Sequence, residues 1–281
     1  MRRGVFQRKS IAGAGALLAL AACASGTRPP EVRPELTLKA GEAPPARMTV
    51  STAPGLELHR WFVPIDPKAR RDGLAEAITQ GTIEPIDSGF GQAGFEIYRA
   101  KLADIVTLQE LLGGSFQIRS TRLGMLPDWA DIENLRAESG RTVFFNGRPR
   151  SLGNSILRLW LRGWCFPTVD GARARVEVRL TTEDARPERF NLDPSQPRAR
   201  PRELEGGRAQ VELAPDEALV LLEKPIVPPE KEGSRDLDVL PAATIAALLL
   251  AERPIEGRAT VLIVTAGFAD ILPTAMSEAE Q

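Results

Sequence analysis

The sequence predicts an α+β protein: a small mixed α/β first unit, then a β-rich, mainly antiparallel unit with one late helix. Three observations carry that expectation. Leu102, Ile105, Leu108, Leu111 and Leu112 recur at helical spacing and are closed by Gly113-Gly114. Two long segments, ILRLWLRGWCF (156–166) and ARARVEVRLTT (172–182), alternate apolar and polar residues with period two, as half-buried strands do. The run ATVLIVTA (259–266) is apolar and β-branched, the pattern of a strand covered on both faces.

Taken in order, the chain opens with positive charge at Arg2, Arg3, Arg8 and Lys9, followed by an apolar run from Ile11 to Ala22. This is the layout of a secretory signal over 1–22. The run falls short of the ~20 apolar residues that a spanning helix needs. Residues 23–55 hold Pro29, Pro30, Pro34, Pro44, Pro45 and Pro54 without periodicity, which reads as an extended tether.

The mixed unit is expected over 56–140. It takes a strand at LELHRWFVPI (56–65), a short helix over 73–80, a strand at GFEIYRA (94–100), the Leu-rich helix over 101–112 and a strand at FQIRSTRL (116–123). Asp128, Asp131 and Glu133 fit capping carboxylates at a helix start. The β-rich unit is expected over 141–273 and starts with a hairpin through the Asn146-Gly147 turn of TVFFNGRP.

The long alternating pair follows. A turn at Asp170-Gly171 sets Cys165 opposite Val176, Gly163 opposite Val178 and Leu161 opposite Leu180 on one face. The other face then sets Phe166 opposite Arg175, Trp164 opposite Glu177, Arg162 opposite Arg179 and Trp160 opposite Thr181. A one-residue slip would mix apolar and charged positions on both faces. The Pro/Arg/Glu-rich stretch 185–207 reads as an exposed loop, and RAQVEL (208–213) with ALVLLEKP (218–225) as a second hairpin. Pro241 is placed to start a helix through Glu252, and 274–281 is a polar tail.

Composition narrows function. With 43% hydrophobic residues the chain can bury a core, and a net charge of −1 gives no electrostatic reason for nucleic-acid binding. His59 is the sole histidine, so zinc sites and histidine-based triads lack their usual parts. No Walker loop, dinucleotide fingerprint, calcium loop or nucleophile elbow is present, and no cofactor is expected.

Two surfaces stand as candidates. Asp128, Asp131 and Glu133 beside Trp129 suggest a glycosidase-like carboxylate pair next to an aromatic sugar platform. Arg158, Trp160, Arg162 and Trp164 alternate along one strand opposite Arg173, Arg175 and Arg179, a guanidinium and indole ladder that suits a binding surface.

Leu20-Ala21-Ala22-Cys23 resembles the lipobox of bacterial lipoproteins. The resemblance implies cleavage before Cys23, acylation of its thiol and anchoring in a lipid bilayer. Ala24 in place of the usual inner-membrane retention Asp implies the outer membrane, facing the periplasm. Cys165 would then have no intramolecular partner, and its apolar strand position fits a buried thiol. Asp216 to Leu221 and Val261 to Thr265 are similar to segments of the carboxy-terminal domain of secretins, the ring channels of bacterial envelopes. That likeness, over 141–273, implies an oligomeric envelope component and carries over no functional residue. The expectation is a lipid-anchored envelope protein that acts by binding or assembly, through an envelope protein partner or self-association. The alternative is a periplasmic glycan-directed hydrolase.

Overall fold

The computed structural model describes residues 48, 51, 53–114, 117–137, 140–185, 201–224, 243–251 and 257–268. The signal segment, Cys23 and most of the 23–55 tether, Pro241 and the tail lie outside the described residues, as does most of the 185–207 stretch. The protein is α+β and mostly antiparallel sheet, with one late helix.

Six strands form the larger sheet, in the order β2-β3-β11-β12-β1-β4. They are β1 (Gly55–Pro64), β2 (Ile83–Pro85), β3 (Phe95–Lys101), β4 (Gln117–Gly124), β11 (Glu217–Glu223) and β12 (Arg258–Gly267). The largely apolar β12 is central and pairs with β1 and β11, so it is buried along almost its whole length. One face of this sheet is covered by helices α1 (Pro67–Thr79) and α2 (Ile105–Leu111). Leu74, Ala77, Ile105 and Leu108 meet Trp61, Val220, Val261 and Ile263 there. The first helix starts two turns earlier than its apolar pattern suggests, because Asp66 accepts from the amides of Lys68 and Ala69 and Pro67 occupies the first turn.

The smaller sheet runs β10-β9-β8-β5 and consists of β5 (Leu126–Ala137), β8 (Ser155–Thr168), β9 (Gly171–Asp184) and β10 (Arg202–Leu213). Its inner row, with Leu157, Leu159, Leu161, Val176, Val178 and Leu180, packs with Leu56, Leu58, Leu219, Leu221, Leu262 and Val264 of the larger sheet. Each of these side chains contributes roughly 1.5–3 kcal/mol by leaving water. Gly163 sits where the sheets pack tightly: an added Cβ would lie 2.7 Å from Leu56 Cδ1 of the larger sheet and 2.4 Å from the Arg175 carbonyl oxygen of the neighbouring strand. The short hairpin β6 (Thr142–Phe145) and β7 (Arg148–Ser151) turns at Asn146 and Gly147, both at positive φ (53° and 69°), as its sequence predicts. Helix α3 (Ile245–Leu250) is buried on every residue and contacts β11, β12 and β5; its described start is capped by Thr244.

Four expectations are corrected. The boundary at 140 does not separate two bodies: β11 and β12 from beyond it are central strands between β3 and β1, a non-local pairing that composition cannot report. RAQVEL and ALVLLEKP form no hairpin, because β10 belongs to one sheet and β11 to the other. Their patterns agree with this, alternating in β10 and continuously buried in β11. The loop expected to reach 207 ends sooner, since β10 begins at Arg202. Finally, Asp128, Asp131 and Glu133 lie on strand β5 and cap no helix.

Candidate functional site

The long hairpin places the Arg/Trp ladder on the outer face of the smaller sheet, as its alternation predicts. Its register differs by two residues from the expected one. Thr168 pairs with Gly171 around a two-residue turn at Val169 and Asp170, and Gly171 at φ 114° supplies a backbone conformation that glycine favours. A two-residue shift keeps every side chain on its predicted face. It changes the partners: Arg162 faces Glu177 in place of Arg179, Trp160 faces Arg179, and Trp164 faces Arg175. The register thereby replaces a like-charge opposition with an ion pair, which cross-strand electrostatics favours.

Glu177 is the hub. The residue is 3% exposed, and its carboxylate accepts from Arg162 Nε at 3.1 Å and Nη2 at 2.8 Å, and from Arg208 Nη2 at 2.8 Å. Burial pushes this carboxyl up, but the hydrogen bonds and charges of Arg208 and Arg162 outweigh it and hold the group below the ordinary glutamate range. The same contacts hold Arg208 more firmly protonated.

Trp129 reaches in from β5. Its ring centroid lies 4.2 Å from Arg179 Cζ, 4.6 Å from Arg162 Cζ and 6.0 Å from Arg208 Cζ. Trp160 lies near Arg158 and Arg179, and Trp164 near Arg162 and Arg175, all at 5.8–5.9 Å. Such contacts contribute ~0.5–2 kcal/mol each. Trp160 also donates to Thr181 Oγ1 at 2.8 Å.

The ladder is not fully neutralised. Arg158 bonds Asp131 and lies 3.5 Å from Glu183, and Arg175 bonds Glu212 at 2.8 Å. Arg179 has no carboxylate within salt-bridge distance among the described residues, and its buried Nε lacks a hydrogen-bond partner. Desolvation lowers its pKa, as do the nearby Arg208 and Arg162 charges, with Glu203 opposing. Sequence reasoning missed Arg208 and the place of Trp129. The first was legible in the period-two alternation of Arg208, Gln210 and Glu212, once β10 is paired with β9. The second was not, because a bulged strand does not alternate.

That bulge also separates the carboxylates proposed as a catalytic pair. Between Asp131 and Glu133 the register of β5 shifts, so Asp131 pairs with outward Trp160 and Glu133 with inward Leu159. Asp131 is held by Arg158 and Asn134, while Glu133 meets Arg60 Nε of the larger sheet at 2.7 Å. Asp128 is exposed. The two better-positioned carboxylates thus sit on opposite faces, each occupied by a guanidinium, and cannot flank one glycosidic bond.

His59 is fully buried at the middle of the larger sheet, its ring nitrogens 2.7 Å from Ser120 Oγ and 3.1 Å from Thr265 Oγ1. Burial lowers its pKa, and Glu57 partly opposes this. Cys165 is buried and free, with Sγ 3.4 Å from the Gly267 carbonyl, and burial pushes its thiol up. No cluster of His, Cys, Asp and Glu suited to a metal ion occurs among the described residues.

No protein-family model matches the chain, and neither does any curated protein or solved structure.

Proposed function

We propose that this chain is a lipid-anchored envelope protein that acts by binding, using the outer face of the β8/β9 hairpin to hold an acidic patch on a partner protein. The observation that carries the reading is Arg179: a cation stacked on Trp129 and Trp160, beside the like charges of Arg162 and Arg208, with no carboxylate within salt-bridge distance among the described residues. A carboxylate from a partner would be drawn to the positive charge that Arg179 shares with Arg162 and Arg208. The chemistry around it is that of protein interfaces, where Trp and Arg are enriched and carry most of the binding energy. A flat sheet face also suits a protein better than a small molecule.

The anchor rests on the lipobox residues Leu20 to Cys23, and the placement at the periplasmic side of the outer membrane rests on Ala24. The segments similar to secretins, 216–221 and 261–265, fall mostly in the adjacent central strands β11 and β12. They build the core, so membership of a secretin-type complex would act through the Arg/Trp face and not through them.

The test compares the lipidated parent with an Arg179→Ser, Trp129→Ala variant, each recovered from native envelopes and shown to be folded. A stoichiometric partner retained by the parent and lost from the variant supports the reading. Equal recovery by both contradicts it, and so does binding to anionic vesicles alone.

A further inference from the structure

The end of the interlayer next to β7 and α3 changes character along three neighbouring strands. On β8 the inward row runs Leu161, Leu159, Leu157 and then Ser155; on β9 it runs Val178, Leu180 and then Thr182 and Asp184. On β10, Leu204 is inward and Arg202 pairs with Thr182. Leu157 pairs with Thr182 and Ser155 with Asp184, so β9 turns polar one pair before β8 and both are polar at the Ser155–Asp184 pair. A cavity of about 400 Å³ opens there, completed by Arg150 of β7, with Leu152 and Ile245 as apolar lining. Its size lies in the range of small-ligand sites.

Ser155 points to what the cavity holds. The residue is 6% exposed, and its hydroxyl has no hydrogen-bond partner. A buried hydroxyl left unmatched costs free energy, so such groups are ordinarily paired. Among the described residues, the charges lining the cavity are those of Arg150, Arg202 and Asp184, a surplus of one positive charge. Guanidinium groups bind carboxylate and phosphate oxygens through paired donors.

We infer that this cavity is a binding site for a small organic anion, its carboxylate or phosphate head held by Arg150, Arg202 and the Ser155 hydroxyl and its short apolar part against Leu152, Leu204 and Ile245. The site is separate from the Arg/Trp face and stands or falls independently of it.

Calorimetric titration of the full-length chain in lipid nanodiscs tests this, using pentanoate and butyl phosphate as probes and pentylamine as the cationic control. Saturable 1:1 binding of at least one anion is expected, the two arms showing which head group is preferred. Replacing the exposed Arg150 and Arg202 together by alanine leaves the thermal midpoint near that of the parent and weakens the preferred anion at least about tenfold. Ser155→Ala weakens it about threefold or more. No saturable binding of either anion overturns the inference, as does an affinity unchanged in the arginine variant or pentylamine binding as tightly as the anions.

Discussion

Glu177→Gln removes the charge at the centre of the ladder while keeping the shape of the side chain. The side chain is 4% exposed, and its carboxylate accepts three guanidinium hydrogen bonds, two from Arg162 and one from Arg208. Hydrogen bonds to charged groups contribute ~1.5–3 kcal/mol. Here the arginine side chains are 26% and 49% exposed, so both can turn to water and the sum must be discounted. The Arg162 pair then contributes about 1.5 kcal/mol and the Arg208 bond about 0.5, so the variant should lose about 2 kcal/mol.

Equilibrium urea unfolding followed by tryptophan fluorescence measures this directly, since Trp129, Trp160 and Trp164 report on the same face. Glu212→Gln, which breaks the exposed Arg175 pair, serves as the comparison and should cost no more than about 0.5 kcal/mol. The folded carboxyl of Glu177 titrates below the ordinary range, so its contribution is complete above ~4.3, the unfolded glutamate value. It is lost as the pH falls through the lower, folded value. The gap between parent and variant should therefore close in acid. A loss at neutral pH no larger than that of Glu212→Gln would refute the account of Glu177 as the buried hub.

Stability should also fall as the pH drops below ~6.5, because the unfolded chain then takes up a proton that buried His59 resists. His59→Gln should flatten the unfolding midpoint between pH 7 and 5, and parallel curves for parent and variant would exclude the histidine. Gly163→Val meets a carbonyl oxygen and a leucine methyl at sub-van der Waals distance and should cost at least about 2 kcal/mol in the same urea assay. A neutral result would mean the sheets do not approach at that point. Cys165 should be inert to a maleimide in the folded protein and react in denaturant. One reactive thiol per chain is then expected if Cys23 is acylated, whereas two reactive thiols would remove the anchor.

Local pattern predicted the strands and their inward faces well. The Leu and Val row of β8 and β9 is written in a period-two code, and the Asn146-Gly147 turn in residues that tolerate positive φ. Partners were harder to read. The alternation of β8 and β9 is unchanged by a two-residue slip, so it placed Arg162 on the correct face but opposite Arg179 and not Glu177. Pairing distant in sequence was invisible, as in Leu58 with Val264, and this led composition to split one interleaved body into two units. The segment 126–137 misled because its bulges break the alternation and its carboxylates imitate a helix cap. Half of the candidate face, the Arg/Trp rows, was thus legible; Trp129 and Arg208 needed the sheet order.

Photocrosslinking in intact cells addresses the binding face most directly. A photoreactive residue at Gln210 or Arg173, on or beside the ladder, should yield one discrete envelope adduct, while the same residue at the exposed helix positions Ile78 or Val106 yields none. Adducts of equal yield from both sides of the molecule, or from neither, would contradict a binding role for the Arg/Trp face.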